Sequence, residues 1–353
     1  RTRGVLPYHD FFAGPDLWNA EDYKAIIAQL PKLGMNFIGF HTYNTRYSSQ
    51  WARENDVRTG PEPTVWIGLP EDVNPDGSVS WAYAANYAHT HRQRTWGFDT
   101  WDTDRFHAGA SRLFPTNGYG SDILGETLPD DGDLLACNAV FNRAGVMLNA
   151  AFSLARRLGV KTAVGTELPL GLEPAGEGDI DPPEDWIRGM PGALQERLAQ
   201  LGKDPTDPNV VKEIYKGIFT RIMKTHPLDY YWLWSYEIWS ANPDGPGVTD
   251  KQIAAIETDM SLAQQALAEL GNPFQIAHAG WITGTADNPA ELEDVFPPEA
   301  PFYSQWGDAE GHDQLSAQRI KWPGISLEQD WGLVQPQGGV YAAHEDISKA
   351  LEY

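Results

Sequence analysis

The sequence predicts an α/β protein in which a parallel sheet closes into a (β/α)8 barrel. Short apolar runs alternate along the chain with longer stretches of helical periodicity. The runs are apolar on both faces, which is typical of parallel strands covered by helices. No G-x-G-x-x-G or phosphate-binding loop follows any of them, which disfavours a small doubly wound nucleotide-binding sheet. A barrel accommodates this many βα units better.

Seven apolar runs are expected to form the strands. They cover residues 4–11, 35–44, 160–168, 228–239, 272–282, 301–309 and 324–332. Between them, apolar residues at helical spacing predict helices at 19–34, 133–159, about 184–202, 209–226 and 249–271, and a final helix at 338–353. Asn19 and Thr249 are the expected N-caps, and Gly34 and Gly271 are the expected stops.

The chain is expected to form one catalytic barrel domain over residues 1–353. Because the last recognisable element is a helix, we expect the eighth strand to lie beyond Tyr353. Residues 45–132 form a long insertion after the second strand, rich in Trp, Tyr, Gly and Pro. Since it leaves the carboxyl end of that strand, it is expected to have structure of its own and to lie over the active-site face.

The charge balance excludes several classes of partner. The formal net charge is −23, from 49 acidic and 26 basic residues. Such a surface disfavours nucleic acid and anionic membranes, which require Lys and Arg.

No apolar run is long enough to span a bilayer. Cys137, the single cysteine, falls in an amphipathic stretch and is expected to be a buried, inert thiol.

Polar and aromatic side chains cluster at the expected carboxyl ends of the strands, where barrel enzymes build their sites. Hydrolysis of a glycosidic bond needs one carboxylic acid to protonate the leaving oxygen and another carboxylate to attack or to activate water. The candidate catalytic residues are Glu237, Asp308 and Glu328. The candidate substrate-binding residues are His9, Asp10, His41, Tyr43, Asn44, Glu167, Tyr236, His278, Trp281, Trp306 and Asp330. Trp232 and Trp234 are expected to pack in the core. Neither a metal nor any other cofactor is expected.

Three of these positions resemble the α-glucuronidase-type glycoside hydrolases: Glu237 in WSYEIW, Asp308 in SQWGDAEGH and Glu328 in GISLEQDWG. The resemblance implies that Glu237 is the general acid and that Asp308 and Glu328 hold the water of an inverting displacement. It also implies further domains of the same polypeptide on both sides of the barrel. Plant or algal carbohydrate is then the expected partner, and a secreted or bacterial periplasmic location is expected. A uronic acid substrate needs a nearby cation, for which Arg46 is best placed.

Three alternatives stay open at this point. A retaining barrel glycosidase would use Glu237 as acid/base and Glu328 as nucleophile, although Tyr236 stands where that clan usually has Asn. A metal-dependent barrel hydrolase of the amidohydrolase kind would use His9, His41, His278 and Asp308. The third alternative is a sugar-binding barrel without catalysis, which has no need of three carboxylates around one pocket.

Overall fold

The computed structural model describes residues 1–7, 18–42, 62–85, 129–130, 132–170, 189–235, 250–280, 290–304 and 315–323. Within these ranges a single parallel sheet has seven strands in the order of the chain. The strands are β1 Gly4–Val5, β2 Phe37–Phe40, β3 Lys161–Leu168, β4 Tyr230–Ser235, β5 Gln275–Gly280, β6 Phe302–Ser304 and β7 Lys321–Pro323. The prediction of a parallel α/β sheet is confirmed.

Five α-helices accompany the sheet in the described ranges: α1 Ala20–Gln29, α2 Leu134–Arg157, α3 Gly192–Gln200, α4 Pro208–Thr225 and α5 Asp250–Glu269. Short 3-10 helices cover Pro31–Leu33, Pro70–Asp72 and Glu291–Val295. The expected cap of α1 is confirmed, because the Asn19 side chain accepts from the backbone N–H of Asp22 while Asp22 accepts from that of Asn19. Gly34 ends the following 3-10 turn in the left-handed conformation, with φ 73°.

Two elements begin elsewhere than predicted. The strand β7 occupies Lys321–Pro323, ahead of the predicted 324–332, because the ladder with β6 runs through Trp322 as far as Pro323. Proline lacks the backbone N–H but is tolerated at a strand end, so it does not break this strand. The helix α3 begins after Pro191, which is extended with ψ 136°. Residues 184–188 of the predicted helix lie outside the described residues. The predicted eighth strand and the helix at 338–353 lie outside the described residues.

The sheet is strongly curled. The Phe37 ring of β2 lies 5.0 Å from the Trp322 ring of β7, and Tyr230 of β4 also lies 5.0 Å from Trp322. In a flat sheet, β2 and β7 would be roughly 24 Å apart, since neighbouring strands are spaced by about 4.8 Å. The contact therefore requires the sheet to bend round toward a barrel.

The curl separates two apolar regions. We call the side chains enclosed by the curl the inner cluster; its buried members are Phe37, Ala163, Tyr230, Trp232, Trp234, Ala277 and Ala279. The larger outer cluster lies between the sheet and the helices and includes Phe40, Tyr231, Leu233 and Ile276. Alternate residues of each strand thus point to opposite sides, and both sides are buried.

Residues 62–85 are the described part of the long insertion, and they pack on the helix layer. The Val79 backbone N–H donates to Asn142 of α2 at 2.8 Å, and Asp72 pairs with Arg197 of α3. Gly77 lies against Thr225, the last residue of α4. Because α4 leads into the amino end of β4, this segment covers helices and not the carboxyl ends of the strands. The expectation that the whole insertion, residues 45–132, lies over the active-site face stays a prediction, since most of it lies outside the described residues.

Cys137 is buried, as predicted. None of the helices in the described ranges combines the length and the hydropathy needed to cross a membrane.

Candidate functional site

The last inward-facing positions of three neighbouring strands bring His41, Glu167 and Trp234 together. His41 directly follows β2, Glu167 lies near the end of β3, and Trp234 lies near the end of β4. Glu167 and Trp234 are register partners across the β3–β4 ladder. Of the predicted site residues, His41 and Glu167 thus lie together in the described ranges, beside Trp234, which was expected to pack in the core.

His41 and Glu167 form a buried pair. His41 Nε2 lies 3.1 Å from Glu167 Oε1, and each side chain is only 1% exposed. The His41 ring packs edge-on against Trp234, with 4.4 Å between the ring centroids. A buried carboxylate is costly without a hydrogen-bonded partner, so this contact fixes the relative position of the two side chains. The sequence predicted both residues as part of the site, and the structure places them in direct contact.

Trp232 and Trp234 occupy the space enclosed by the curl beneath this pair. Both are fully buried and their rings stack at 5.6 Å, which agrees with the expectation that they pack in the core. Gly39 makes room for Trp232, because a Cβ at Gly39 would lie 1.7 Å from that ring. The contact of Trp234 with His41 was not predicted, although the alternation along β4 places Trp234 on the inner side.

The carboxyl end of β3 is held by a residue that the sequence reading missed. Asp259 of α5 accepts from the Leu170 backbone N–H at 2.6 Å and from the Tyr215 hydroxyl at 2.8 Å. Burial first, and then the Asp259 charge, raise the pKa of Tyr215 well above its usual value, so Tyr215 stays a donor. In the sequence, Asp259 resembles the other acidic residues of a charged helix. However, it lies three residues after the buried Ile256, within the apolar stripe of α5. That position could have indicated that Asp259 is buried.

The structure does not bring His278 to this site. Its ring stacks on Phe302 at 4.4 Å and meets Phe296 edge-on, and its register partner Leu233 belongs to the outer cluster. His278 therefore faces the helices, whereas His41 faces the inside of the curl. The placement gives no support to a substrate-binding role for His278. It also prevents the two histidines from sharing a metal ion.

The other predicted site residues lie outside the described residues. These are Glu237, Asp308, Glu328, His9, Asp10, Tyr43, Asn44, Tyr236, Trp281, Trp306 and Asp330. The strand ends that lead to several of them are described. At one of these ends Gly280 has φ 131° and lies so close to Ser235 that a Cβ would meet the Ser235 Oγ at 2.2 Å. Only glycine fits there, directly before Trp281.

Within the described ranges, no group of three or more His, Cys, Asp or Glu side chains lies close enough together to hold a metal ion. The arrangement that these ranges do contain is an acid–imidazole pair against an indole. Such a set can donate and accept hydrogen bonds and can present an aromatic face.

Comparison with known proteins gives two solved structures of low similarity. No family model and no curated protein matches the chain. The two structures are a GH20 exo-β-N-acetylglucosaminidase from Vibrio harveyi, one as an inactive mutant and one in complex with N-acetylglucosamine. Each is 11% identical, with TM-scores of 0.38 and 0.37, over 88% of this chain. This chain spans 39% of the length of each of them. Similarity at this level carries no information about the activity of this chain.

Proposed function

We propose that the chain is a glycoside hydrolase that acts on plant or algal poly- or oligosaccharides by carboxylate acid/base catalysis. The observation that carries the proposal is the buried His41–Glu167 pair packed against Trp234 at the carboxyl end of the curled sheet. Barrel enzymes bind their substrates at this end. Aromatic faces pack on the apolar faces of sugar rings, and imidazole and carboxylate groups bind sugar hydroxyls.

In the proposed mechanism, Glu237 is the general acid. It follows the end of β4 by two residues and is three residues after Trp234. Asp308 and Glu328 activate the water for an inverting displacement, and the other predicted site residues, apart from His278, bind the sugar. The indicated chemistry needs one protonated and one ionised carboxyl group, which gives a bell-shaped dependence of rate on pH.

A retaining mechanism is the alternative within the same function. Glu328 would then attack the anomeric carbon and Glu237 would serve as acid and base. The two mechanisms differ in carboxyl separation, which is about 5–5.5 Å for retention and about 6.5–9.5 Å for inversion. They also differ in the anomer first released.

The test is hydrolysis of plant and algal oligosaccharides followed by proton NMR during the first minutes. We expect turnover with inversion, and a loss of at least about 1,000-fold in kcat for Glu237→Gln, since the general acid is removed. Glu196→Gln is the control, because Glu196 lies exposed on α3 and should leave turnover unchanged. Turnover that survives in Glu237→Gln would contradict the assignment of the acid. Retention of configuration would make Glu328 the nucleophile.

A further inference from the structure

We infer that the amino ends of the first three strands carry a docking surface for an acidic protein partner that has exposed apolar side chains. We call this surface the amino-end patch; its members are Arg3, Lys32, Leu33, Arg156, Arg157 and Leu158. The patch lies at the edge of the sheet opposite the carboxyl ends of the strands. The inference is therefore independent of the proposed glycosidase function.

Backbone hydrogen bonds bring the three chain segments of the patch together. The Asn36 N–H donates to the Arg3 carbonyl at 2.7 Å, and the Lys161 N–H donates to the Asn36 carbonyl at 2.9 Å. These bonds lie where the β1–β2 and β2–β3 ladders begin. Leu33 precedes Asn36 by three residues, and Leu158 precedes Lys161 by three. Both leucines and the cations next to them thus lie at one edge of the sheet.

Every member of the patch is exposed. Leu33 is 68% exposed and Leu158 is 41% exposed, and the four cationic side chains are exposed as well. The stretches 1–5, 31–36 and 156–161 contain no Asp or Glu, although the chain has 49 acidic and only 26 basic residues. The patch is therefore locally positive on a molecule whose formal net charge is −23.

The cations of the patch lack the ion pairs that lysines elsewhere on the surface have. On the helices, lysines pair with nearby carboxylates: Lys24 with Glu21, Lys203 with Glu213, and Lys212 and Lys216 with Glu269. None of the four patch cations forms an ion pair within the described ranges. Their charge is not offset by a neighbouring carboxylate, so it can attract an anionic group of another molecule.

Helix dipoles account for only part of this pattern. Lys32, Arg156 and Arg157 lie in the last turns of helices, where the terminal carbonyls favour a cation. Arg3, in contrast, precedes a strand, and the two exposed leucines gain nothing from a dipole. Exposed aliphatic side chains beside charged ones match the apolar core and polar rim of a protein–protein interface.

The chemistry of the patch favours an acidic protein over other occupants. None of its six side chains is aromatic, so it offers no ring on which a sugar or a base could stack. An extended polyanion would also run beyond the patch, over a surface of negative net charge. An isologous contact with a second copy would set four cations against four cations. A compact acidic surface with apolar side chains avoids all three difficulties.

The test measures binding of a defined probe to the full chain. The probe is a fluorescein-labelled amphipathic helix of about 20 residues, with leucines along one face and glutamates beside them. In two comparison peptides, Gln replaces every Glu or Ala replaces every Leu. By fluorescence anisotropy, we expect the probe to bind at least about 10-fold more tightly than either comparison peptide, because the patch offers both charge and apolar area. Added salt should weaken this binding.

Variants of the patch are compared with matched controls outside it. Arg157→Glu should weaken binding of the probe by about 10-fold, whereas Lys24→Glu, the same change of charge on α1, should change it by less than about 2-fold. Leu33→Ser should weaken binding by about 5-fold. Its control is Leu135→Ser, since Leu135 is 83% exposed near the start of α2. Circular dichroism verifies that each variant is folded. Equal effects in the patch variants and their controls would overturn the inference.

Other occupants of the patch would give different results. Tighter binding of a heparin fragment, or of vesicles of phosphatidylserine and phosphatidylcholine, would identify a polyanion or a membrane as the occupant and overturn the inference. Sedimentation velocity tests the second copy. Self-association that is lost in Arg157→Glu would assign the patch to a dimer, which also overturns it. Failure of the probe to bind at concentrations up to about 1 mM would overturn it as well.

Discussion

At the residue scale, Asp259 determines how firmly the carboxyl end of β3 is held. Its carboxylate joins α5, α4 and the backbone that follows Glu167 through two short hydrogen bonds. Both donors are buried, and neither the Leu170 N–H nor the Tyr215 hydroxyl can turn to water if the acceptor is removed. Asp259 therefore acts on the site through the backbone and not by touching a substrate.

We expect Asp259→Ala to lower the free energy of unfolding by about 3 kcal/mol, because two buried donors lose their acceptor. Urea denaturation measures this. Thr258→Ala is the control from the next position, since the exposed Thr258 bonds only within its own helix, to the Ala254 carbonyl. It should cost well under about 1 kcal/mol. Equal losses in the two variants would show that Asp259 has no special role.

The sequence correctly predicted that His41 and Glu167 lie at strand ends, whereas their roles stay predictions. Each of them follows or ends an apolar run and is itself polar, and both properties indicate a side chain at the carboxyl end of a strand. His278 met the same two criteria but faces the helices. When both faces of a strand are apolar, neither criterion tells which alternate residues face the inside of the curl. For His278, that orientation is shown only by its contacts with Phe302 and Phe296.

At the element scale, α4 is followed by a histidine whose burial disfavours protonation. His226 is the C-cap of α4 and packs edge-on against Phe152 of α2. Burial, aided by the nearby charge of Arg221, lowers the pKa of His226 from 6.5 to about 3. The unfolded chain, in contrast, binds this proton near the ordinary pKa. The resulting stabilisation is complete above pH 6.5 and is lost as the pH falls toward 3.

We expect the stability difference between wild type and His226→Gln to shift by about 2 kcal/mol between pH 7 and pH 5, with wild type losing more. Gln retains a group that can bond Thr225 but does not titrate. Urea unfolding at pH 7, 6 and 5 gives the two curves, and the contributions of the carboxylates cancel in their difference. Parallel curves would mean that His226 titrates equally in both states.

Elements were predicted well where a cap and a stop enclosed a clear period. The helix α1 begins after Asn19 as expected, because Asn19 and Asp22 satisfy each other's backbone N–H. Boundaries near proline were less reliable. The strand β7 begins at Lys321 and includes Pro323, ahead of the predicted start at residue 324, and α3 begins only after Pro191. A proline has opposite effects depending on which backbone N–H the neighbouring element needs, and that depends on tertiary contacts.

At the scale of the whole molecule, the rings enclosed by the curl hold distant strands together. Trp322 contacts both Phe37 and Tyr230, so it links β7 with β2 and β4. We expect Trp322→Ala to lower the free energy of unfolding by about 2–3 kcal/mol, less than for a fully buried aromatic because Trp322 is half-buried. Denaturation with near-ultraviolet circular dichroism measures the loss of stability and of ring packing.

The control for this variant is Ile320→Ala, since Ile320 is 44% exposed and directly precedes β7. Its cost should stay below about 1 kcal/mol. If Trp322→Ala were equally mild, the contact across the curl would not be stabilising the sheet.

The general architecture could be predicted because it depends on a repeated pattern, and single errors do not destroy a repeat. The alternation of apolar runs and helical stretches correctly gave a parallel sheet in chain order. The position of residues 62–85 could not be predicted in the same way. It depends on contacts between sequence-distant surfaces, such as Asp72 with Arg197 and Gly77 with Thr225, and no local pattern specifies them.

The docking of residues 62–85 on α4 also has a consequence for the newly made chain. The apolar side chains of Val65, Trp66 and Ile67 leave the ribosome well before α4 is complete at Thr225. At synthesis rates of about 5–20 residues per second, they wait on the order of ten seconds for the helix on which their segment docks. During that interval the nascent polypeptide displays an unprotected apolar segment. Chaperones that bind nascent chains should therefore have their strongest effect on yield during this part of translation.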